Sequence, residues 1–252
     1  MMKKRLLAFL LLLIVYFVVN VPTNAAAMHI MEGYLPIGWT LFWWVVFLPF
    51  FIMGLVKIKK LTEEHPQLKL MLGLAGAFVF VLSALKIPSV TGSSSHPTGV
   101  GLGSVLFGPK MMTVLGTFVL FFQALLLAHG GITTLGANAF SMAVVGPLAG
   151  YYAYKLMNRL TNKQAIAIFS AAFMANMVTY LFTSLQLALA FPTNGVVTSF
   201  LKFITIFAVT QVPLAIVEGL LTIVVWNWIA AYNGKEIRLL ENLKQGVFGH
   251  EK

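Results

Sequence analysis

The sequence predicts an all-α polytopic membrane protein: a bundle of six clear transmembrane helices plus one short or broken segment. Three observations carry that prediction. Of 252 residues, 59% are hydrophobic and only 10% charged, against roughly a quarter charged in an average soluble domain. Several apolar runs approach or exceed the ~18–20 residues needed to cross a bilayer. Lys and Arg collect at the flanks of those runs, where they set topology. This placement accounts for the formal charge of +10. Nucleic-acid binding is disfavoured, because no basic stripe carries interleaved aromatics. Cysteine is absent, so neither disulfides nor thiolate metal ligands are available.

The N-terminus reads "MMKKR", then "LLAFLLLLIVYFVV", then "NVPTNAAA". A basic start, an apolar core and a stretch ending in small residues are the parts of a secretory leader. Residues 1–27 are therefore expected to be cleaved after Ala27, leaving 28–252 as a single transmembrane domain. The alternative is an uncleaved first helix. The core spans about 14 residues, short for a span.

Along 28–252, the first span is expected from Gly38 to Val56, followed by the charged loop "KIKKLTEEHPQLK". The second covers Leu70–Lys86, and "IPSVTGSSSHPTGVGLG" is rich in turn residues. Further spans follow at 111–128, Ala137–Met157, Gln164–Ala190 and Phe200–Tyr232, the last with room to tilt or kink near Pro213. The tail after Tyr232 is polar.

Charge then tests the count. With Met28 outside, the loop holding Lys57, Lys59, Lys60 and Lys69 falls inside, as positive-inside topology requires. Six crossings alone would put Lys155, Arg159 and Lys163 outside. One more crossing between Thr98 and Lys110 corrects this. "TGVGLGSVLFG" is too short for a full span at ~1.5 Å per residue. A short helix shielded by its neighbours is expected there, because irregular backbone is not tolerated against lipid. The expectation is seven segments in a plasma-membrane protein, N-terminus outside and C-terminus cytoplasmic.

That topology puts His29 and His96 on one face. An X-His amino terminus offers three nitrogens: the Met28 α-amine, the His29 backbone amide and a His29 ring nitrogen. His96 would close a square. Planar nitrogen coordination suits Ni(II) or Cu(II), and low-spin Co(II) also accepts it. Zinc prefers a tetrahedron and calcium prefers oxygens. Ligation needs deprotonated nitrogens, so binding should weaken in acid. On spacing alone the signal is weak, and both histidines could be solvated bystanders.

"MHIMEGYLP", "GSSSHPTGVGLGSVLFGP" and "FFQALLLAHGGITTLGANAFSMAVVGP" closely resemble the CbiM/NikM family of cobalt- and nickel-transport membrane subunits. These are substrate-specific components of energy-coupling-factor transporters. The resemblance covers essentially all of 28–252. It implies an S-component-like bundle, and an N-terminal segment tucked into it as a cap. The implied metal ligands are Met28, His29 and His96. Co(II), or Ni(II) in the nickel branch, is the implied substrate, with no catalytic cofactor. The implied partners are the coupling subunit CbiQ, the ATPase CbiO and the small accessory subunit CbiN, in a membrane serving cobalamin synthesis.

Other residues carry two readings. His129 is a turn histidine or a partner of the site. Ser93, Ser94 and Ser95 could orient the His96 ring or only build a turn. Glu32 could bond to the capped site or simply carry a surface charge. Gln123, Asn138 and Asn176 read as hydrogen-bonding glue between helices. Glu218, ionisable within a span, is a functional candidate, read as pairing with a coupling subunit or with buried polar groups. His65 and His250 read as solvated. Gly73 and Ala77, one turn apart, could form a coupling-subunit face or an internal contact. "GSVLFGPK" lacks the Lys of a phosphate loop, and no HExxH occurs. ATP hydrolysis would therefore fall to partners. A metal-dependent membrane enzyme using His129 and Glu218, or an assembly protein, are the competing classes.

Overall fold

The computed structural model describes residues 29–88 and 94–249. The expected leader (1–27), Met28, Ser93 and His250 lie outside the described residues. Helix α1 (Ile37–Glu64) begins directly after Pro36. Leu41, Val45, Leu48, Ile52 and Val56 form an exposed apolar stripe along it, at the three-to-four-residue spacing of one helix face. Such a stripe suits lipid rather than water. Trp43, Phe47 and Gly54 face the interior. A Cβ at Gly54 would lie 2.3 Å from the Lys110 carbonyl oxygen, so glycine permits a close helix crossing there.

α1 corrects the sequence reading of a charged loop after Val56. The helix continues to Glu64, and Lys59–Glu63 and Lys60–Glu64 pair at 3.9 and 3.8 Å along its surface. Such i,i+4 pairs are compatible with an exposed helical extension and contribute only about 0.3–0.5 kcal/mol each.

α2 (Leu68–Ala84) leads to a two-residue strand β1 (Ile87–Pro88), which pairs antiparallel with β2 (Ser94–Ser95). α3 (Val100–Phe107) follows, and all its residues are buried. At 8 residues it is about 12 Å long, the short shielded segment that the charge argument requires. A Cβ at Gly101 would lie 2.5 Å from Ala172 Cα, so α3 lies backbone-to-backbone against its neighbour.

α4 (Pro109–Leu127) starts on proline, which is suited to a first helical turn. α5 (Leu135–Ala139) runs through a π-helical turn (Phe140–Val145) into α6 (Gly146–Thr161). α7 (Gln164–Ala190) and α8 (Val196–Tyr232) complete the bundle, with α7 packed between α6 and α8. The polar tail forms a further helix, α9 (Gly234–Gly249). Its Lys244 Nζ donates to the Val105 carbonyl of α3 at 2.6 Å.

Four of these helices, α1, α4, α7 and α8, are long and apolar enough to cross a membrane. α2 is a shorter apolar helix of 17 residues. α3 packs against α4, α6 and α7, so the loop that carries His96 enters the bundle rather than lying over it.

Candidate metal centre

Three separate pieces of chain meet at one point. The first is the segment before α1. Ile30 N–H donates to Asn138 Oδ1 at 2.8 Å, and Asn138 Nδ2 donates back to Ile30 O at 2.9 Å. Thr134 Oγ1 donates to the same carbonyl at 2.7 Å. Beyond it, Thr133 N–H donates to the Glu32 carboxylate at 3.1 and 3.3 Å, and Gly33 N–H donates to Thr133 Oγ1 at 3.2 Å. Hydrogen bonds from Thr133 hold the exposed Glu32 carboxyl below its ordinary range. A Cβ at Gly131 would lie 2.5 Å from Glu32 Cα, so glycine lets the two segments touch. The chain from His29 to Gly33 is thus fastened to the turn between α4 and α5.

The second piece is the loop from β2 to α3. His96 is buried, and its Nδ1 lies 2.8 Å from the Pro97 carbonyl oxygen. A carbonyl only accepts, so Nδ1 carries the proton and Nε2 presents its lone pair. Glu218 of α8 holds the loop. Its carboxylate accepts from Thr98 N–H (2.8 Å), Thr98 Oγ1 (2.9 Å), Gly99 N–H (2.7 Å) and Asn176 Nδ2 (2.6 Å). Gln211 Nε2 donates to the His96 carbonyl at 3.0 Å and to Asn176 Oδ1 at 2.7 Å. Ser95 Oγ is 2.7 Å from Thr210 Oγ1. Ser94 Oγ is buried without a hydrogen-bond partner.

The third piece is the turn after α4. Ala128 adopts a left-handed conformation (φ 46°), and His129 N–H donates to Gln123 O at 3.1 Å. Gly130 also has positive φ, and a Cβ there would be 3.4 Å from His29 Cβ.

His29, His96 and His129 are 2%, 0% and 1% exposed. Their ring centroids are 4.4 Å (His29–His96), 4.5 Å (His29–His129) and 4.9 Å (His96–His129) apart. Each offers a ring nitrogen within 4.8 Å of the other two. His29 Nε2, His96 Nε2 and both nitrogens of His129 are buried without a hydrogen-bond partner. Leaving such groups unsatisfied costs about 1–3 kcal/mol each. A cluster of orphaned imidazole nitrogens therefore points to a ligand that satisfies them.

Electrostatics agree. Burial pushes His29 well below the ordinary imidazole value, reinforced by His96 and His129. Burial lowers His96 to about 4, against the opposing bond to Pro97. Burial, then His96 and Lys86, lowers His129 to about 2. The rings are neutral at pH 7 and their lone pairs are free for a Lewis acid. Nitrogens bound to one first-row ion at about 2.0–2.1 Å lie no more than about 4.2 Å apart. The imidazole nitrogens lie within 4.8 Å of one another, a spacing that small side-chain movements bring to this limit. The group consists of imidazoles alone, so hard oxygen-seeking cations fit poorly and late transition metals fit well.

The fold thus brings together His29, His96 and His129, with Ser95 close by in the chain. Met28 lies outside the described residues. Glu32 fastens the N-terminal segment through Thr133 and is not one of the clustered groups. Glu218 is 1% exposed, and its carboxylate bonds within the chain, so it presents no surface to a coupling subunit. Gly73 and Ala77 are exposed on α2, and among the described residues nothing lies within 4 Å of a Cβ at Gly73. Asn138 and Asn176 do more than join helices: each reaches the backbone or network beside a clustered histidine. For Asn138 the signal in the sequence is spacing. Thr134 and Asn138 stand four apart, on one face of a helical turn.

Fold and site together define a polytopic helical membrane protein with a transition-metal-suited imidazole cluster at its interior. Comparison with known proteins is consistent with that class. The family model CbiM, described as cobalt uptake substrate-specific transmembrane region, matches residues 29–235. The chain belongs to this family. It is 59% identical over 251 residues to a cobalt transport protein CbiM of Nostoc sp., covering 99% of this chain and 96% of the relative. It is 59% identical over 229 residues to that of Anoxybacillus flavithermus, covering 90% and 92%. A crystal structure of a truncated transition metal transporter superimposes with a TM-score of 0.70 at 26% identity, covering 81% of this chain and 99% of the other.

Proposed function

We propose that this chain is the substrate-capture subunit of an ATP-driven energy-coupling-factor importer, taking up Co(II) for cobalamin synthesis. The observation that carries the reading is the set of three buried imidazoles with unpartnered nitrogens within 4.8 Å of one another. Relatives bearing the name cobalt transport protein favour Co(II) over Ni(II) as the substrate.

In this account a leader is removed after Ala27. The Met28 α-amine, the His29 amide, a His29 ring nitrogen and His96 Nε2 then take the ion in one plane. Asn138 and Thr134 fix the peptide after His29. Glu218, Asn176 and Gln211 fix the loop at His96. Closing the N-terminal segment over the ion removes it from water. The chain crosses the plasma membrane in seven segments, with the site on the outer side and α9 in the cytoplasm. CbiQ, CbiO and CbiN supply coupling, ATP hydrolysis and an accessory contact, since the chain has no phosphate loop of its own. An enzyme built on His129 and Glu218 draws no support, because four donors occupy the Glu218 carboxylate.

The test is radiocobalt uptake by cells carrying the complete transporter. One extra residue placed between Ala27 and Met28 displaces the amine from His29. Uptake should be abolished while membrane abundance is unchanged. Undiminished uptake would overturn the proposed ligand set.

A further inference from the structure

We infer that Lys244 is a positioning residue for the metal site: it latches the tail helix α9 onto α3 and so holds His96 in its metal-binding place. The inference rests on the capture reading above. α3 has 8 residues, too few to be stable as an isolated helix. Both of its ends are held from the C-terminal part of the chain. At the N-terminal end, Thr98 and Gly99 donate their N–H groups to the Glu218 carboxylate of α8 at 2.8 and 2.7 Å. At the other end, Lys244 Nζ donates to the Val105 carbonyl at 2.6 Å. An anion at the start of a helix and a cation at its end both favour the helix dipole.

Lys244 also meets a need that the sequence creates. A helical carbonyl accepts from the N–H four residues on. For Val105 that residue is Pro109, which has no N–H. Val105 is buried, so its carbonyl needs another donor, and the ammonium supplies it. Burial lowers Lys244 to about 8, with Glu241 opposing, so the group keeps its charge at pH 7.

Elsewhere α9 is lightly seated. Ile237 and Leu240 are buried in one apolar cluster with Leu102, Leu106 and Phe107 of α3. A cleft of about 210 Å³ nevertheless remains beneath the helix, lined by Leu106, Tyr154, Trp226, Ile237 and Leu240. The Lys244 bond is thus a large part of what seats α9. His96 stands four residues ahead of Val100, the first residue of α3. Lifting α9 uncaps Val105 and loosens α3 and the His96 loop together. The metal site is then weakened from the tail, the direction that inward release requires.

Full-length protein with its mature N-terminus is compared with Lys244→Met and His29→Ala by equilibrium dialysis against Co(II) and by hydrogen exchange of α9. Lys244→Met keeps the apolar stem and removes the donor. Its cobalt affinity should fall about tenfold. Linkage makes the effect reciprocal, so saturating cobalt should slow exchange of the wild-type α9 amides by about the same factor. In Lys244→Met, α9 exchange should not respond to cobalt. A role confined to stability leaves α9 insensitive to the metal in both proteins. Wild-type α9 exchange unchanged by bound cobalt overturns the inference, even if the variant fails to fold. So does undiminished cobalt affinity in folded Lys244→Met. Cobalt retained undiminished by His29→Ala would instead sink the capture reading itself.

Discussion

Asn138 and Ile30 exchange two hydrogen bonds across 108 residues of sequence: Ile30 N–H to Oδ1 at 2.8 Å and Nδ2 to Ile30 O at 2.9 Å. A side-chain amide thus pairs with the peptide as another strand would. This pairing fixes the direction in which His29 leaves the bundle wall.

Replacing Asn138 by Leu removes both bonds and leaves the Ile30 N–H unsatisfied. Cobalt affinity should fall about 10–100-fold, the usual cost of losing a group that orients a ligand. Equilibrium dialysis of the purified variant checks this. Asn138→Asp keeps an acceptor for the Ile30 N–H but sets its second oxygen against the Ile30 carbonyl, so cobalt affinity should fall there too.

Glu218 is the anchor of the opposite wall. Glu218→Ala strands two backbone N–H groups, the Thr98 hydroxyl and the Asn176 amide, all buried beside His96. Each unsatisfied group costs about 1–3 kcal/mol. A clear drop in Tm should accompany weaker cobalt binding, both measurable by thermal unfolding in detergent with and without metal. An unchanged Tm would contradict the assignment of Glu218 to this network.

Gly101→Val should displace α3, because a Cβ there meets Ala172 Cα at 2.5 Å. Overpacking of this kind costs about 1–3 kcal/mol. The His96 loop is continuous with α3, so cobalt binding should weaken along with stability. Gly73→Val, at an open position, should leave both unchanged.

Acidity tests the ligand set. Burial lowers His96 to about 4 and His129 to about 2, and lowers His29 as well. The rings therefore hold no proton to release at pH 7. In the proposed ligand set, displaced protons come from the Met28 amine, ordinarily about 7.7–8.0, and the His29 amide. Affinity should rise with pH by about two decades per unit below the amine value and about one above it. His96 adds to this slope only near pH 4. Calorimetry in buffers of different ionisation enthalpy counts the protons; no release between about pH 6 and 7 would exclude the amine and amide.

Much of the bundle was legible because hydrophobic runs and basic flanks are local signals. α7 occupies Gln164–Ala190, the expected limits, and α3 lies where the charge count demanded an extra segment. The continuation of α1 to Glu64 is hidden in the sequence because a charged stretch reads as loop, although Lys and Glu four apart also suit a helical surface. The placement of His129 was hidden for a different reason. Its depth comes from the N-terminal segment folding over the turn, a long-range contact fixed by Asn138, Thr134 and Glu32. Likewise, Glu218 reads as an isolated charge until Thr98 and Gly99, over a hundred residues away, are brought beneath it.

Metal content tests the central claim most directly. Wild-type protein and His29→Ala, both bearing the mature N-terminus, are incubated with Co(II), freed of excess metal and measured by elemental mass analysis. The account predicts cobalt near one equivalent per chain in the wild type and almost none in the variant. Equal cobalt in both would contradict it.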